Sequence, residues 1–428
     1  MSIMNAMYNG VSGLTAESDA LGVIGNNVSN ANTVGFKESR AIFENVLGSA
    51  VGAQDQVGSG VTMASTQQIF AEGSMLSTGQ PTDVALSGDG FFVVAGSVGG
   101  VTGDFYTRAG QTSLSSNGTL VNPDGLAFQG YQANPDGTFS SAVGPIQVST
   151  AALPPKETST LDVTANLDST STPPTGAWNA QNPSTTSNFS TSMQVYDSLG
   201  TAHTVNVYMQ NTGPNDWTYH VLANGSEVQG GTAGQNSEIA TGTLTFSSTG
   251  ALATSTLTTG GTVTFDGAAA QKLAFNFGTP TASGGTGLSG STQFGSPSNI
   301  SAQSQDGYTS GALSSVQIDS SGVVSGVYSN GQTIAVGQMA IAKFQSNNGL
   351  AQAGQNVWVA TSTSGVAALG NAGVGGRGSL ATGSLENSNV DIATEFVDMI
   401  AHQSGFQADS KTVTTADDML QELMQMKQ

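Results

Sequence analysis

Met7, Leu14, Leu21 and Val28 recur every seven residues, and Val11, Ile24 and Ala31 fill the intermediate apolar positions of the same heptad. Apolar residues at this spacing line one face of a helix, so the pattern predicts an amphipathic helix at the N-terminus. At the far end Leu385, Ile392, Met399, Phe406, Val413 and Leu420 repeat the seven-residue spacing, supported by Phe396, Ala416, Leu423 and Met424. Ser388-x-x-Asp391 has the form of a capping box and places the start of this second helix near Ser388. Gly10, Gly13, Gly22 and Gly25 each cost about 1 kcal/mol relative to Ala in a helix interior, so the first helix alone in water is expected to be mostly unfolded. Each helix needs an apolar partner and the nearest candidate is the other, which makes everything between them an insertion.

Between the helices the period changes from seven to two. "DVALSGDGFFVV" reads as two strands about the Gly88-Asp89-Gly90 turn, and Asn117-Gly118, Asp124-Gly125 and Asp136-Gly137 are turn dipeptides between apolar runs. The same rhythm returns over residues 316–344, so both flanks are expected to build one β domain. The segment it interrupts has strands of its own: Val205, Val207 and Met209 alternate with polar residues, as do Leu273, Phe275 and Phe277. Pro-, Gly- and Ser-rich borders near residues 150 and 310 set this segment apart. The expected architecture is mainly β with a terminal α-helical coiled coil, in nested discontinuous domains. Residues 1–31 and 388–428 form the helical assembly domain, and 32–75 with 373–387 a connecting region. Residues 76–150 with 310–372 form an inner β domain, and 151–309 an outer β domain.

Composition narrows the function. The 428 residues include 9 Lys and Arg against 29 Asp and Glu, a formal charge of −20. Basic residues are too sparse for a phosphate-binding stripe, so nucleic acid is not an expected partner. Cysteine is absent, which removes disulfides, thiolate nucleophiles and Cys-based metal sites. No stretch reaches the roughly 18 apolar residues of a membrane span, and "MSIMNAMYNGVSGL" lacks the basic and apolar regions of a cleavable signal peptide. No membrane insertion is expected, and export would use another route.

Candidate chemistry is thin. His203, His220 and His402 form no metalloprotease arrangement and read as surface or interface residues. Gly373-Val374-Gly375-Gly376-Arg377-Gly378 matches G-x-G-x-x-G, but residues 379–387 read as polar loop where a dinucleotide site needs a helix, so the stretch is expected to be a flexible link. Asp83 and Asp89 fit turn chemistry better than a paired-carboxylate hydrolase. Asn27-Val28-Ser29 has the form of a glycosylation sequon but falls on a helix end. No catalytic residue, cofactor or metal is expected, and the chain is not read as an enzyme. The heptads favour assembly over an intramolecular core, because helices this weak need partners.

"SGLTAESDALGVIGNNVSNANTVGFK" resembles the N-terminal signature of the rod and hook family of bacterial flagellar axial proteins. "NSNVDIATEFVDMIAHQSGFQADSKTVTTADDMLQELMQMK" resembles its C-terminal counterpart. The two stretches cover roughly the first 37 and last 42 residues. "DVALSGDGFFVV", "YTRAGQTSLSSNGTLVNPDGLAFQGY" and "GVYSNGQTIAVGQMAIAKF" are similar to the β domain of the hook members, and the large insertion favours hook over distal rod. Two positions depart from the pattern: Gly22 stands where it implies an acidic or small helix former, and Asp409 where it implies an asparagine.

The resemblance implies a self-assembling subunit whose terminal helices form the inner tube of a curved helical polymer around an export channel, transmitting torque from rod to filament. It implies as partners other copies of the chain, the rod and hook–filament junction proteins, the hook cap and the type III export apparatus, with a final location in the extracellular hook. It also makes Asn26, Asn27, Asn30, Asn32, Gly35, Phe36 and Lys37 family-signature residues. The asparagines are expected to satisfy carbonyls at the helix end and to bond neighbouring subunits, with Phe36 as an apolar anchor. A secreted, β-rich adhesin is the alternative that the Ser-, Thr- and Gly-rich middle suggests.

Overall fold

The computed structural model describes residues 3–46 and 58–426, and the chain divides into two compact units. The first comprises residues 1–150, 314–327 and 333–428, the second residues 151–313 and 328–332.

In the first unit the N-terminal helix runs Ile3–Ser29 and the C-terminal helix Ile392–Gln425, and they pack together antiparallel. Ala31 and Leu385, although in heptad register, lie outside the helices. The C-terminal helix starts later than the Ser388 box suggests. Asp391 is its N-cap, its carboxylate accepting from the backbone N–H of Ala393 at 2.8 Å and of Thr394 at 3.4 Å. A carboxylate there also meets the positive end of the helix dipole, which a serine hydroxyl does not do as well.

The body of this unit is a 13-stranded sheet that draws on both flanks of the insertion. Strand Phe91–Val98 pairs with Val101–Thr107, Ala127–Ala133 and Ile341–Lys343. Gly118, Gly125 and Gly137 adopt φ of 83°, 84° and 82° in the turns where the dipeptides place them. The strands either side of Gly88-Asp89-Gly90 do not form a hairpin: Val84–Ser87 pairs instead with Ser379–Thr382. That strand and Ser384–Glu386, which pairs with Met75–Ser77, occupy the stretch expected to be loop. The Gly-rich run before them is a turn closed by Gly373 N–H on Gly378 C=O at 2.8 Å and by Arg377 on the carbonyls of Ala368 and Leu369, so it is a bonded corner and not a loose link. A two-stranded ribbon, Ser39–Asn45 with Val61–Gln68, packs on the N-terminal helix.

The second unit holds a five-stranded antiparallel sheet, in the order Phe189–Tyr196, Ala202–Gly213, Asp216–Asn224, Asn236–Phe246, Leu252–Gly260, and a three-stranded sheet about Thr160–Asn166. Val205, Val207 and Met209 point into one core with Trp217, Tyr219, Leu273 and Phe277, as their alternation predicts. Two of the histidines read as surface or interface residues, His203 and His220, are buried here. The His203 ring stacks on Phe265 with centroids 3.8 Å apart, between Glu227 at 2.8 Å and Asp197 at 3.2 Å. His220 stacks on Trp178, also at 3.8 Å, with Glu238 at 2.6 Å. The carboxylates replace water at both ring nitrogens of His203 and at Nδ1 of His220.

Candidate assembly site

The paired helices meet along Gly10, Gly13, Ala16, Ala20, Ile24 and Asn27, a row spaced three or four residues apart, facing Val413, Asp409, Glu395 and Ala416. Small residues form most of this row, which shares only Ile24 with the heptad stripe of the first helix. Of the heptad positions read from the sequence, Ile24, Leu385 and Ala416 are buried. Met7, Leu14, Leu21, Val28, Met399, Val413 and Leu420 are half-buried, while Val11, Ile392, Phe396, Phe406 and Leu423 are exposed. Phe396 is 50% exposed, and Val397 and Ile400 beside it 65% and 63%. Within one chain the helices thus touch through glycine and alanine, and the large apolar side chains remain on their outer surface.

Below the helices the chain enters and leaves the sheet side by side. Asn27 is buried at the junction. Its side-chain oxygen accepts from the Ser39 N–H at 3.0 Å, and its amide nitrogen donates to the Ser39 carbonyl at 2.7 Å and to Glu395 Oε1 at 2.8 Å. All three bonds run within the chain, so the sequon asparagine is fully engaged. Asn30 donates its side-chain amide to the Asn26 carbonyl at 3.0 Å, an acceptor that the Asn30 backbone N–H also reaches at 3.1 Å. Asn26 and Asn32 are exposed. Gly35 has φ of 70°, its N–H donates to the Glu386 carbonyl at 2.7 Å, and a Cβ there would come within 2.6 Å of the Ala109 nitrogen. Only glycine meets both demands. Phe36 is buried and lines a cleft of about 540 Å³ with Asn26, Asn30, Gln352, Asn356 and Trp358.

Lys37 enters the interior completely. Its ammonium donates to Glu386 Oε1 at 2.5 Å and to the Ala71 carbonyl at 2.7 Å, with no side-chain exposure on either partner. Glu386 Oε1 also accepts from the Gly73 N–H at 3.0 Å, and its Oε2 lies 3.3 Å from Arg108, whose guanidinium donates in turn to the carbonyls of Leu86 and Gly88. Burial pushes the Lys37 ammonium below its ordinary pKa, and the Glu386 carboxylate opposes that shift. Nearby, the Asn389 side chain accepts from the Glu38 N–H at 2.7 Å and donates to the Ile69 carbonyl at 2.8 Å.

Glu386, Arg108 and Asn389 were not picked out by sequence reasoning. The available signal was scarcity: in a chain with 9 basic residues, Lys37 directly follows Phe36 and Arg108 directly follows "FYT". His402 lies in the helix interface, 2.5 Å from Glu17. Asp83 and Asp89 are turn residues; Asp89 is exposed and lies 3.7 Å from Lys343. Among the described residues no cluster of His, Cys, Asp and Glu is arranged to hold a metal.

Chain ends reserved for one another, anchored by a buried charge cluster to a sheet that carries an inserted β unit, define the rod and hook class of flagellar structural proteins. Four family profiles match in order: flagella basal body rod protein over residues 7–37, the flagellar hook protein FlgE/F/G D1 domain over 85–166, the flagellar basal body protein FlaE D2 domain over 166–308, and the flagellar basal body rod FlgEFG protein C-terminal region over 381–426. The flagellar hook protein FlgE of Salmonella typhimurium is 38% identical over 423 residues, covering 97% of this chain and 98% of that protein. That of Escherichia coli is 37% identical, covering 99% and 100%, and that of Treponema pallidum 34%, with the same coverage. The crystal structure of Helicobacter pylori flagellar hook protein FlgE2 shares the fold, with a TM-score of 0.52 at 16% identity over 73% of this chain and 100% of that one.

The chain belongs to the flagellar hook protein family. It is a structural subunit of the bacterial flagellum.

Proposed function

We propose that the chain polymerises through its terminal helices into a curved tube, the hook, that surrounds an export channel and passes torque from rod to filament. The observation that carries this reading is the apolar surface left on the outside of the helix pair, where Phe396, Val397, Ile400 and Phe406 are exposed on one helix and Tyr8 and Val11 on the other. Large apolar side chains left exposed in this number are unfavourable on a monomer and are covered when copies associate. The domain scheme is part of this reading: a terminal helical assembly domain, a connecting region, an inner β domain and an inserted β domain. Contacts with rod, junction and cap proteins, passage through the type III apparatus without a cleavable signal peptide, and the absence of any catalytic role belong to the same reading. Negative-stain microscopy of the concentrated protein tests it. Tubes are expected, and dispersed particles at every concentration would overturn it.

A further inference from the structure

The antiparallel helices exchange carboxylates. A Cβ built on Gly13 would lie 2.2 Å from Asp409 Oδ2, and one built on Gly405 would lie 2.8 Å from Glu17 Oε1. Each acid therefore occupies the space that a side chain on the opposite helix would fill. Gly13 and Glu17 are one helical turn apart, as are Gly405 and Asp409, so the two carboxylates are brought side by side. His402, one turn from the other face of Glu17, places Nδ1 2.5 Å from Glu17 Oε2. Among the described residues no Lys or Arg forms an ion pair with Glu17 or Asp409.

We infer that the helix pair is a proton-sensitive latch, closed in acid and loosened toward neutral pH, with Asp409 as the group that sets it and Glu17 as the charge beside it.

With both carboxylates ionised, two like charges share the seam, and among the described residues no Lys or Arg pairs with either. Like charges held this close disfavour ionisation of one of the two, and the pair titrates as a unit. A proton on Asp409 removes the repulsion and favours closure. Burial first, and then the Glu17 charge, hold the Asp409 carboxyl above its ordinary value of 3.8. The folded pair therefore binds more protons than the separated helices. Closure is gained as pH falls through the folded pKa, is complete below the unfolded one, and is lost as pH rises.

The groups facing this seam from its neighbours act in the same sense. Further along, Glu395 is raised above its ordinary value by burial, against the Asn27 hydrogen bond and with the charges of Glu38 and Asp398. The ribbon contributes Glu38, itself raised by burial and Asp398, and Arg40, which opposes that shift. It also sets Phe43 against the His402 ring, with centroids 6.1 Å apart.

The test uses the full chain at a concentration where sedimentation shows monomer, so it is independent of assembly. Amide protection factors over residues 10–25 and 395–416, corrected for intrinsic exchange, are compared at about pH 7 and about pH 4. In the parent chain protection is expected to rise at the lower pH by about threefold or more. Asp409→Asn is expected to reach the low-pH level already at the higher pH and to lose most of the slope. Glu17→Gln removes the other half of the repulsion together with the His402 partner, so it too flattens the profile. Near-ultraviolet circular dichroism confirms that the β units of each variant are intact. Protection that ignores pH in the parent, or an unchanged slope in both variants, overturns the latch.

Discussion

Lys37 and Glu386, 349 positions apart in sequence, meet at 2.5 Å with neither side chain exposed. Arg108 completes the cluster from the sheet, so one carboxylate holds the outgoing chain, the incoming chain and the body between them. A buried ion pair is weak evidence of net stability, because desolvating both charges offsets much of their attraction. Breaking it from one side is another matter.

Glu386→Gln leaves two buried cations facing a neutral amide. It is expected to lower the stability of the first unit by about 3–5 kcal/mol. Lys37→Met should cost less, since Glu386 keeps Arg108 and the Gly73 N–H. Urea unfolding monitored at Trp358, in a background where Trp178 and Trp217 are phenylalanine, checks the order of the two effects.

Asn27→Asp replaces a donor to Glu395 with a second carboxylate and strips the Ser39 carbonyl of its partner. The expected loss is about 1–3 kcal/mol at neutral pH. It should shrink in acid. Glu395 is already held above its ordinary 4.5, chiefly by burial, so protonation stabilises the folded form as pH falls through the folded pKa, with the full gain below 4.5. Thermal melts between about pH 7 and pH 4 should show parent and variant converging.

Gly35→Ala meets two obstacles, a left-handed backbone and the Ala109 nitrogen. The first alone costs about 1–2 kcal/mol for an L-residue, and the close approach adds to it. A lowered melting temperature is expected, with hydrogen exchange rising first around residues 35–40. A melting temperature equal to that of the parent would mean that the loop has room to re-route.

Phe396→Asp and Leu420→Asp place charge on the outer surface of the helix pair, where the monomer already exposes or half-exposes these positions. The monomer should keep its melting temperature while tube formation is abolished. Tubes of normal length from both variants would show that copies join through another surface.

Limited proteolysis of the monomer should trim the helices and stop at the anchor. The resistant fragment is expected to run from about Gly35 to about Asn389, because the strands and side chains of that stretch are tied into the sheet. Cleavage that continues to Met75 would mean the charge cluster does not hold in the monomer.

The helices, the turns at Gly118, Gly125 and Gly137 and the alternation at Val205, Val207 and Met209 were legible because each reports a local period or a local backbone demand. The face on which the helices pair was not. A heptad of large residues dominates any periodicity reading, while the row that makes the contact, Gly10, Gly13, Ala16 and Ala20, has no large apolar side chain to mark it. The strands Ser379–Thr382 and Ser384–Glu386 were missed because they are short, polar and paired with segments some three hundred residues away. Lys37, Arg108 and Glu386 lie on three separate stretches, and no local pattern states that they converge. The histidines show the same limit, since the burial of His203 and His220 depends on Phe265 and Trp178 arriving from elsewhere in the chain.

The double crossing between helices and sheet has a mechanical meaning. A single covalent connection is a swivel, because rotation about two or three backbone bonds lets one part spin without disturbing the other. Here two connections run side by side and are rung together by Gly35 to Glu386, by Lys37 to Glu386 and by Glu38 to Asn389. Spinning the helix pair against the sheet would wind these connections around each other and break the rungs. The junction is therefore stiff in twist while each strand of it remains short, and a rotation applied to the helices is delivered to the sheet without slack.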